Sequence, residues 1–500
     1  MKIKNILFKT ILGIIAFTLL WIILQGLLDY DAVIYEYNPI ILAIGIIIYF
    51  FLIRIIYKKL LPKIENNKII PVILIAIFTI ICIVSGQILK VNPSWDMGNV
   101  YNISVDCAER GIIKAHYLYC FPNNIGITIV YSLLFRICKI IGITDYLTVA
   151  TLFNSIVISL SVLLIYLITK KLFGNKKALM VLIISVFTTP LYLYSAIYYT
   201  DTLSMFMMLL MAYVFIIVKN INPEKKLLKI LGYILLTIII FAGMKIKVTA
   251  FFIVIAYLMY AIFNGKFKEL GKQLLIVVPT FIVITIIYTS MVNIFITPDK
   301  EMTDELKYPI EVWIAMGLKG NGGYDFKEYV KVNEFHTYEE KQKAARESIK
   351  QILSEYDTNS FIKHLTAKLE YAWTDGSYFA PEKLRREPVN DTILHEFIFP
   401  AGKYNIYYKY LPQIMHMSML IFILIGVCKT IKDKDIKDVN VIFYILMLGF
   451  IAFFLIWENR SRYILTCVPF LMIAQLKGIE IFSKYHSKEN DKKDVKKVNK

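Results

Sequence analysis

The chain has 500 residues, 57% of them hydrophobic and 19% charged, with a formal net charge of +18. So high an apolar share excludes an ordinary soluble globular protein. The basic residues form short clusters beside apolar runs, which is a membrane-orientation signal and argues against nucleic acid as a partner.

In chain order, apolar runs of the length that crosses a hydrocarbon core predict spans near 10–28, 39–57, 69–89, 147–169, 177–196, 202–218, 229–244, 248–264, 272–293, 411–428, 438–457 and 464–482. The expectation is an all-α membrane protein with about twelve transmembrane helices. No small-residue cleavage site follows the first run, so it reads as a retained anchor, not a signal peptide. Lys2, Lys4 and Lys9 precede the first span, and Arg54, Lys58, Lys59, Lys63 and Lys68 follow the second. Further clusters lie at Lys170, Lys171, Lys176 and Lys177, at Lys219, Lys225, Lys226 and Lys229, and at Lys429, Lys432, Lys434 and Lys437. All fall on one side if the chain alternates from a cytoplasmic N-terminus, with Asp29, Asp31, Glu36 and Asp201 opposite. Both termini are then cytoplasmic. Segment 125–142 is also apolar, but crossing there would invert every later loop, and Arg136 and Lys139 interrupt it. It is read as a helix in the outer interface.

The chain divides into a membrane domain at 1–296, interrupted by an outer loop at 90–124, and an extracytoplasmic domain at 297–410. More transmembrane helices follow at 411–482, and a basic cytoplasmic tail, expected to be disordered, at 483–500. Region 297–410 holds 16 Lys and Arg against 19 Asp and Glu, a balance suited to water. Within it, 337–353 places Ala344, Ala345, Ile349 and Ile352 at amphipathic-helix spacing. No repeat and no phosphate-cradling glycine loop is present.

Four ionic groups lie where a membrane protein would not place them without reason. Asp96, in Pro93-Ser94-Trp95-Asp96-Met97, follows an apolar run beside an interfacial tryptophan, at a depth where it could serve as a base toward a hydroxyl. Asp201, in Tyr199-Thr200-Asp201, stands at an outer turn, where a helix-capping role and a sugar or phosphate contact are both open. Lys245 and Lys247 break the positive-inside pattern; snorkelling explains them, and so does a lipid phosphate. Glu458, Arg460 and Arg462 sit between apolar spans, an expensive position unless they are paired or liganded. Cys107 and Cys120 share the outer loop and are a candidate disulfide.

In this order and sidedness, Trp95-Asp96, Phe121-Pro122-Asn123-Asn124, Tyr199-Thr200-Asp201, Lys247-Val248-Thr249 and Glu458 to Tyr463 resemble the GT-C superfamily of integral-membrane glycosyltransferases. The chain looks most like bacterial relatives of the protein O-mannosyltransferases and the lipid A aminoarabinose transferase, over about 90–482. The resemblance implies outer juxtamembrane helices and a mainly helical extracytoplasmic domain. It also implies transfer of one sugar from a polyprenyl-phosphate donor to a glycan, lipid or protein acceptor, with inversion. Asp96 would be the catalytic base, and Lys247, Arg460 and Arg462 would hold the donor phosphate. Asp201, Tyr199 and Glu458 would contact sugar, or Asp201 a divalent metal such as Mg or Mn. Trp313, Trp373 and Tyr378 would offer sugar-stacking faces. A polysaccharide polymerase or ligase with a lipid-linked donor is the nearer alternative, and a multi-pass transporter or flippase the farther one.

Overall fold

The computed structural model describes residues 2–28, 34–111, 113–297 and 299–498, the side chains of 2, 3 and 485–498 excepted. Asp29 and Asp31 lie outside the described residues. The protein is an all-α integral membrane protein. Its apolar helices are α1 (Lys2–Leu28), α2 (Pro39–Ile55) and α3 (Ile69–Ile88), then, after the polar-loop helix α4 (Trp95–Arg110) and the apolar α5 (Ile125–Ile140), α6 (Tyr146–Phe173), α7 (Asn175–Phe187), α8 (Thr200–Lys219), α9 (Lys226–Ile246), α10 (Phe252–Phe263) and α11 (Phe267–Phe295). Polar helices α12 (Glu311–Gly317), α13 (Phe326–Lys331), α14 (Tyr338–Ser354), α15 (Thr358–Trp373) and α16 (Ala380–Leu384) follow. The apolar helices α17 (Asn405–Asp433), α18 (Asn440–Ile456) and α19 (Val468–Val498) come last.

Local chemistry sets the boundaries. Asn38 accepts from the amides of Ile40 and Ile41, with Pro39 in the first turn of α2. Asp145 caps α6 through the amide of Thr148. Pro190, which has no N–H to continue a helix, follows a break at Thr188 that bends the segment by 59°. Eight helices among the described residues are long and apolar enough to cross a membrane, or nine if this bent pair is one span. By that measure twelve is not reached, since Val248–Phe263 and Asn440–Ile456 are shorter. The last expected span begins at Val468 rather than 464, and α19 carries the lysine-rich tail onward as helix.

Contacts sort the connections to two ends of the bundle. At one end Lys176 lies over the Tyr57 ring, Lys177 pairs with Glu480, Lys477 with Asp438, and the Tyr260 hydroxyl donates to the carbonyl of Lys437. At the other, Lys90 reaches Thr148, Lys409 reaches the carbonyl of Glu36, and Asn390 donates to the carbonyl of Gln87. This is the polar-domain end. Helix α5 starts there at Asn124, which is hydrogen-bonded to Tyr199 at the head of α8. Lys139, near its finish, pairs with Glu109 of α4 at the same end. It therefore runs across the end of the bundle and does not cross it.

Helix α14 starts with a capping box in which Thr337 and Glu340 satisfy each other's backbone. Buried Glu328 ties α13 to its neighbours through Lys319 and Ser348. The polar domain docks on the bundle through Lys368, whose ammonium donates to the carbonyls of Gly317 and Trp457. Burial pushes this amine down to about 7. From there up to the ordinary lysine value the unfolded chain binds more protons than the folded one, so this residue makes stability rise with pH. Thermal unfolding in detergent from pH 7 to 10 should therefore show a shallower rise for Lys368→Met than for the wild type. Parallel pH profiles would remove Lys368 from that account.

Candidate functional site

The site is built where five segments meet at the polar-domain end. The first is the turn 93–98. A side chain on Gly98 would strike the backbone of Pro93, with its first carbon 2.7 Å from the Pro93 carbonyl carbon, so glycine lets α4 start this abruptly. Trp95 holds a left-handed backbone, φ +48°, a costly state for a bulky residue that surrounding structure must enforce. Asp96 follows in the first turn of α4, half-buried.

A hydrogen-bond chain positions Asp96. The Tyr117 hydroxyl donates to its Oδ1 at 2.9 Å, Asn124 Nδ2 donates to that hydroxyl at 2.6 Å, and the Tyr199 hydroxyl donates to Asn124 Oδ1 at 2.8 Å. The ring of Tyr199 meets that of Trp95 edge-on at 4.8 Å. Two residues beyond Tyr199 stands Asp201, only 1% exposed. Its Oδ1 takes Lys247 Nζ at 2.6 Å and its Oδ2 faces Arg462 Nε at 3.4 Å. Gly126 lets this happen, because a Cβ there would sit 2.2 Å from the carbonyl of Lys245 and hold α5 off the segment that carries Lys247.

The fourth segment is 458–463. Glu458 accepts from the Tyr463 hydroxyl at 2.9 Å and faces Arg460 Nε at 3.7 Å; burial pushes its carboxyl above the usual range. Arg462 lies over the rings of Trp95, Tyr199 and Tyr463. Its Nη1 and Arg460 Nε are buried and make no hydrogen bond among the described residues.

The fifth segment, 375–386, was not foreseen. Asp375 accepts from Ser377, from the amide of Phe379 and from Ser461, locking a turn in which Tyr378 and Phe379 both have positive φ. The turn delivers Lys383, whose ammonium lies 3.8 Å from the centre of the Trp95 ring, and Arg386. The electrostatic coupling of Lys383 to Arg462, Arg386 and Arg460 places it in the same cluster. Its only sequence signal was the run Lys383-Leu384-Arg385-Arg386, which looks like an ordinary solvated stretch.

Asp96, Tyr199, Asp201, Lys247, Glu458, Arg460 and Arg462 thus come together. Lys245 does not: it lies over Phe241 and Tyr288, facing α11. Three expectations are corrected. Cys107 and Cys120 are both free and buried rather than bridged, because Cys120 packs with Tyr308 and Val312 of the polar domain while Cys107 lies on the inner face of α4. Trp373 and Tyr378 cannot stack on a sugar, because both are inside the core and Tyr378 is bonded to His416. Of the aromatic candidates only Trp313 is not fully buried, and it stacks beside Trp457.

A divalent metal does not fit these residues. Both oxygens of Asp201 already face cations, Asp96 and Glu458 accept from tyrosines, and no group of three or more metal-ligating side chains forms among the described residues. What suits the cluster to an anion is that Arg462 Nη1 and Arg460 Nε are buried without a hydrogen bond among the described residues, beside a Lys383 that no acid pairs.

No curated protein and no solved structure matches the chain. Residues 2–480 match the family model described as conserved hypothetical integral membrane protein. With nearly its whole length covered, the chain belongs to that family of integral membrane proteins.

Proposed function

We propose that the protein is a membrane glycosyltransferase that moves one sugar from a polyprenyl-phosphate carrier to a hydroxyl of an extracytoplasmic acceptor, with inversion. The observation that carries this reading is the meeting of a poised carboxylate, Asp96, with an anion-suited cluster at one end of an apolar bundle. Asp96 takes the acceptor's proton as its oxygen attacks the anomeric carbon. The bond from that carbon to the phosphate oxygen breaks, and its electron pair stays with the lipid phosphate. Lys247, Arg460 and Arg462 stabilise the charge that develops there, a large term in a partly dry site. Tyr199 and the Asp201 ion pair fix the floor of the pocket. Tyr324, 48% exposed and coupled to Asp96 through space, and the stacked pair Trp313 and Trp457 offer faces for an acceptor.

Charges gathered at one end fit a transferase better than a transporter, which keeps ionisable groups near the membrane midplane. The basic end at 57–63, 170–177 and 429–437 then faces the cytoplasm, and the site faces out. In a cysteine-free background, cysteines at Asn99 and Asn333 should react with an impermeant thiol reagent in intact cells, and one at Asn175 should not. Labelling at 175 alone would reverse the orientation. The activity itself is tested by incubating purified protein with polyprenyl-phosphate sugars and envelope extract. Failure of every such donor to lose its sugar, beside an active control enzyme, would end the reading.

A further inference from the structure

One lysine of the pocket has no role in that reaction, and the inference about it rests on the pocket binding a lipid phosphate. Lys383 is 3% exposed, and no ion pair or hydrogen bond holds its ammonium among the described residues. The charged groups around it are accounted for. Asp201 is held by Lys247 and Arg462, Glu458 by Tyr463 and Arg460, Asp96 by Tyr117, and Glu382, one residue away, pairs with Arg385 at 2.7 Å. What remains near Lys383 is Arg386, Arg460 and Arg462, plus the face of Trp95. Burial and these three guanidinium groups push the amine down to about 5. Guanidinium groups do not give up a proton, and the other lysine of the cluster, Lys247, is held by the Asp201 carboxylate, so Lys383 is the member that yields.

We propose that Lys383 is an uncharged amine in the ligand-free pocket and takes up one proton from water as a phosphate-bearing ligand seats among Arg386, Arg460 and Arg462. The step is R–NH2 plus H⁺ giving R–NH3⁺, with no bond to the ligand made or broken. It suits the transfer chemistry. The donor's phosphodiester bears one negative charge and the departing monoester two, so the lysine is less fully protonated beside the donor than beside the departing phosphate. That difference favours the later state over the starting one, which is what accelerates a reaction. An arginine at 383 would bind the phosphate at constant charge.

The test is calorimetry of the full-length, detergent-purified protein with farnesyl phosphate at pH 8, where that ligand is already a dianion, in buffers of different ionisation enthalpy. Wild type should take up about one proton per phosphate bound, and between pH 7.5 and 9 affinity should fall by up to about tenfold per pH unit. Lys383→Arg should bind with no uptake and a flat pH dependence, and Lys383→Met should bind more weakly, also without uptake. Tight binding by wild type without uptake overturns the proposal. So does uptake that persists in both variants, which would assign the proton to Glu458 or Lys247. Absence of farnesyl phosphate binding in wild type and both variants overturns the lipid-phosphate reading itself, and this proposal with it.

Discussion

Asp96→Asn lowers sugar transfer by about 10²–10⁴-fold, the range for loss of a positioned general base, while membrane level and lipid-phosphate binding stay at wild-type values. The expectation follows from how the residue is held. Tyr117 donates to Oδ1, and the amide oxygen of asparagine can accept the same bond, so the hydrogen-bond chain to Asn124 and Tyr199 survives. The cations that would hold the phosphate are paired with Asp201 and Glu458 and do not depend on Asp96. What is lost is the ability to take a proton. The assay is transfer from a purified polyprenyl-phosphate sugar, with donor binding measured separately. Transfer at close to the wild-type rate would remove Asp96 from the chemistry and raise the standing of a lipid-linked polymerase or ligase, which has no need of that carboxylate.

Asp201→Asn is expected to act on the fold before it acts on the rate. Its carboxylate is almost wholly buried and faces two cations, Lys247 and Arg462. Removing one member of such a set leaves buried charge without a counter-ion, at a cost of about 3–5 kcal/mol. Thermal unfolding in detergent should start well below wild type, and farnesyl phosphate should recover part of the loss by supplying the missing negative charge. Lys247→Met should be milder, because Arg462 still faces Asp201. An Asp201→Asn protein that unfolds with the wild type would mean that water, not protein, screens these cations.

The parts of this fold that were legible are those where the membrane makes a mistake expensive. Runs rich in Ile, Leu and Phe at 69–89 or 411–428 lie in helices because an apolar segment in lipid must satisfy its own backbone. Asp201, Lys247, Glu458 and Arg462 stood out for the same reason, as ions beside such runs. The same logic fails in the polar region. Lys383 and Arg386 looked like solvated residues in a charge-balanced segment, and only the turn fixed by Asp375 carries them into the pocket. Aromatic identity likewise did not tell Trp313, which is partly buried, from Trp373, which is wholly buried. Cys107 and Cys120 shared a loop, but a loop between two packed helices sends its side chains to different cores. The bend at Thr188 could have been read from Pro190 inside the apolar run; the short length of α18 and the late start of α19 are set by the compact turn at 461–467.

The hydrogen-bond chain behind Asp96 has a direction and an end. Both tyrosines donate and Asn124 joins them, and relay through an amide would pass by way of its high-energy imidic-acid form. The chain therefore holds the carboxylate without wiring it to the interior of the bundle. Any proton gathered during turnover leaves by the mouth through which the acceptor entered, and Lys383 draws on the same water. Transfer by this route moves no net charge between the two faces of the membrane, so its rate in sealed vesicles should not respond to an imposed voltage.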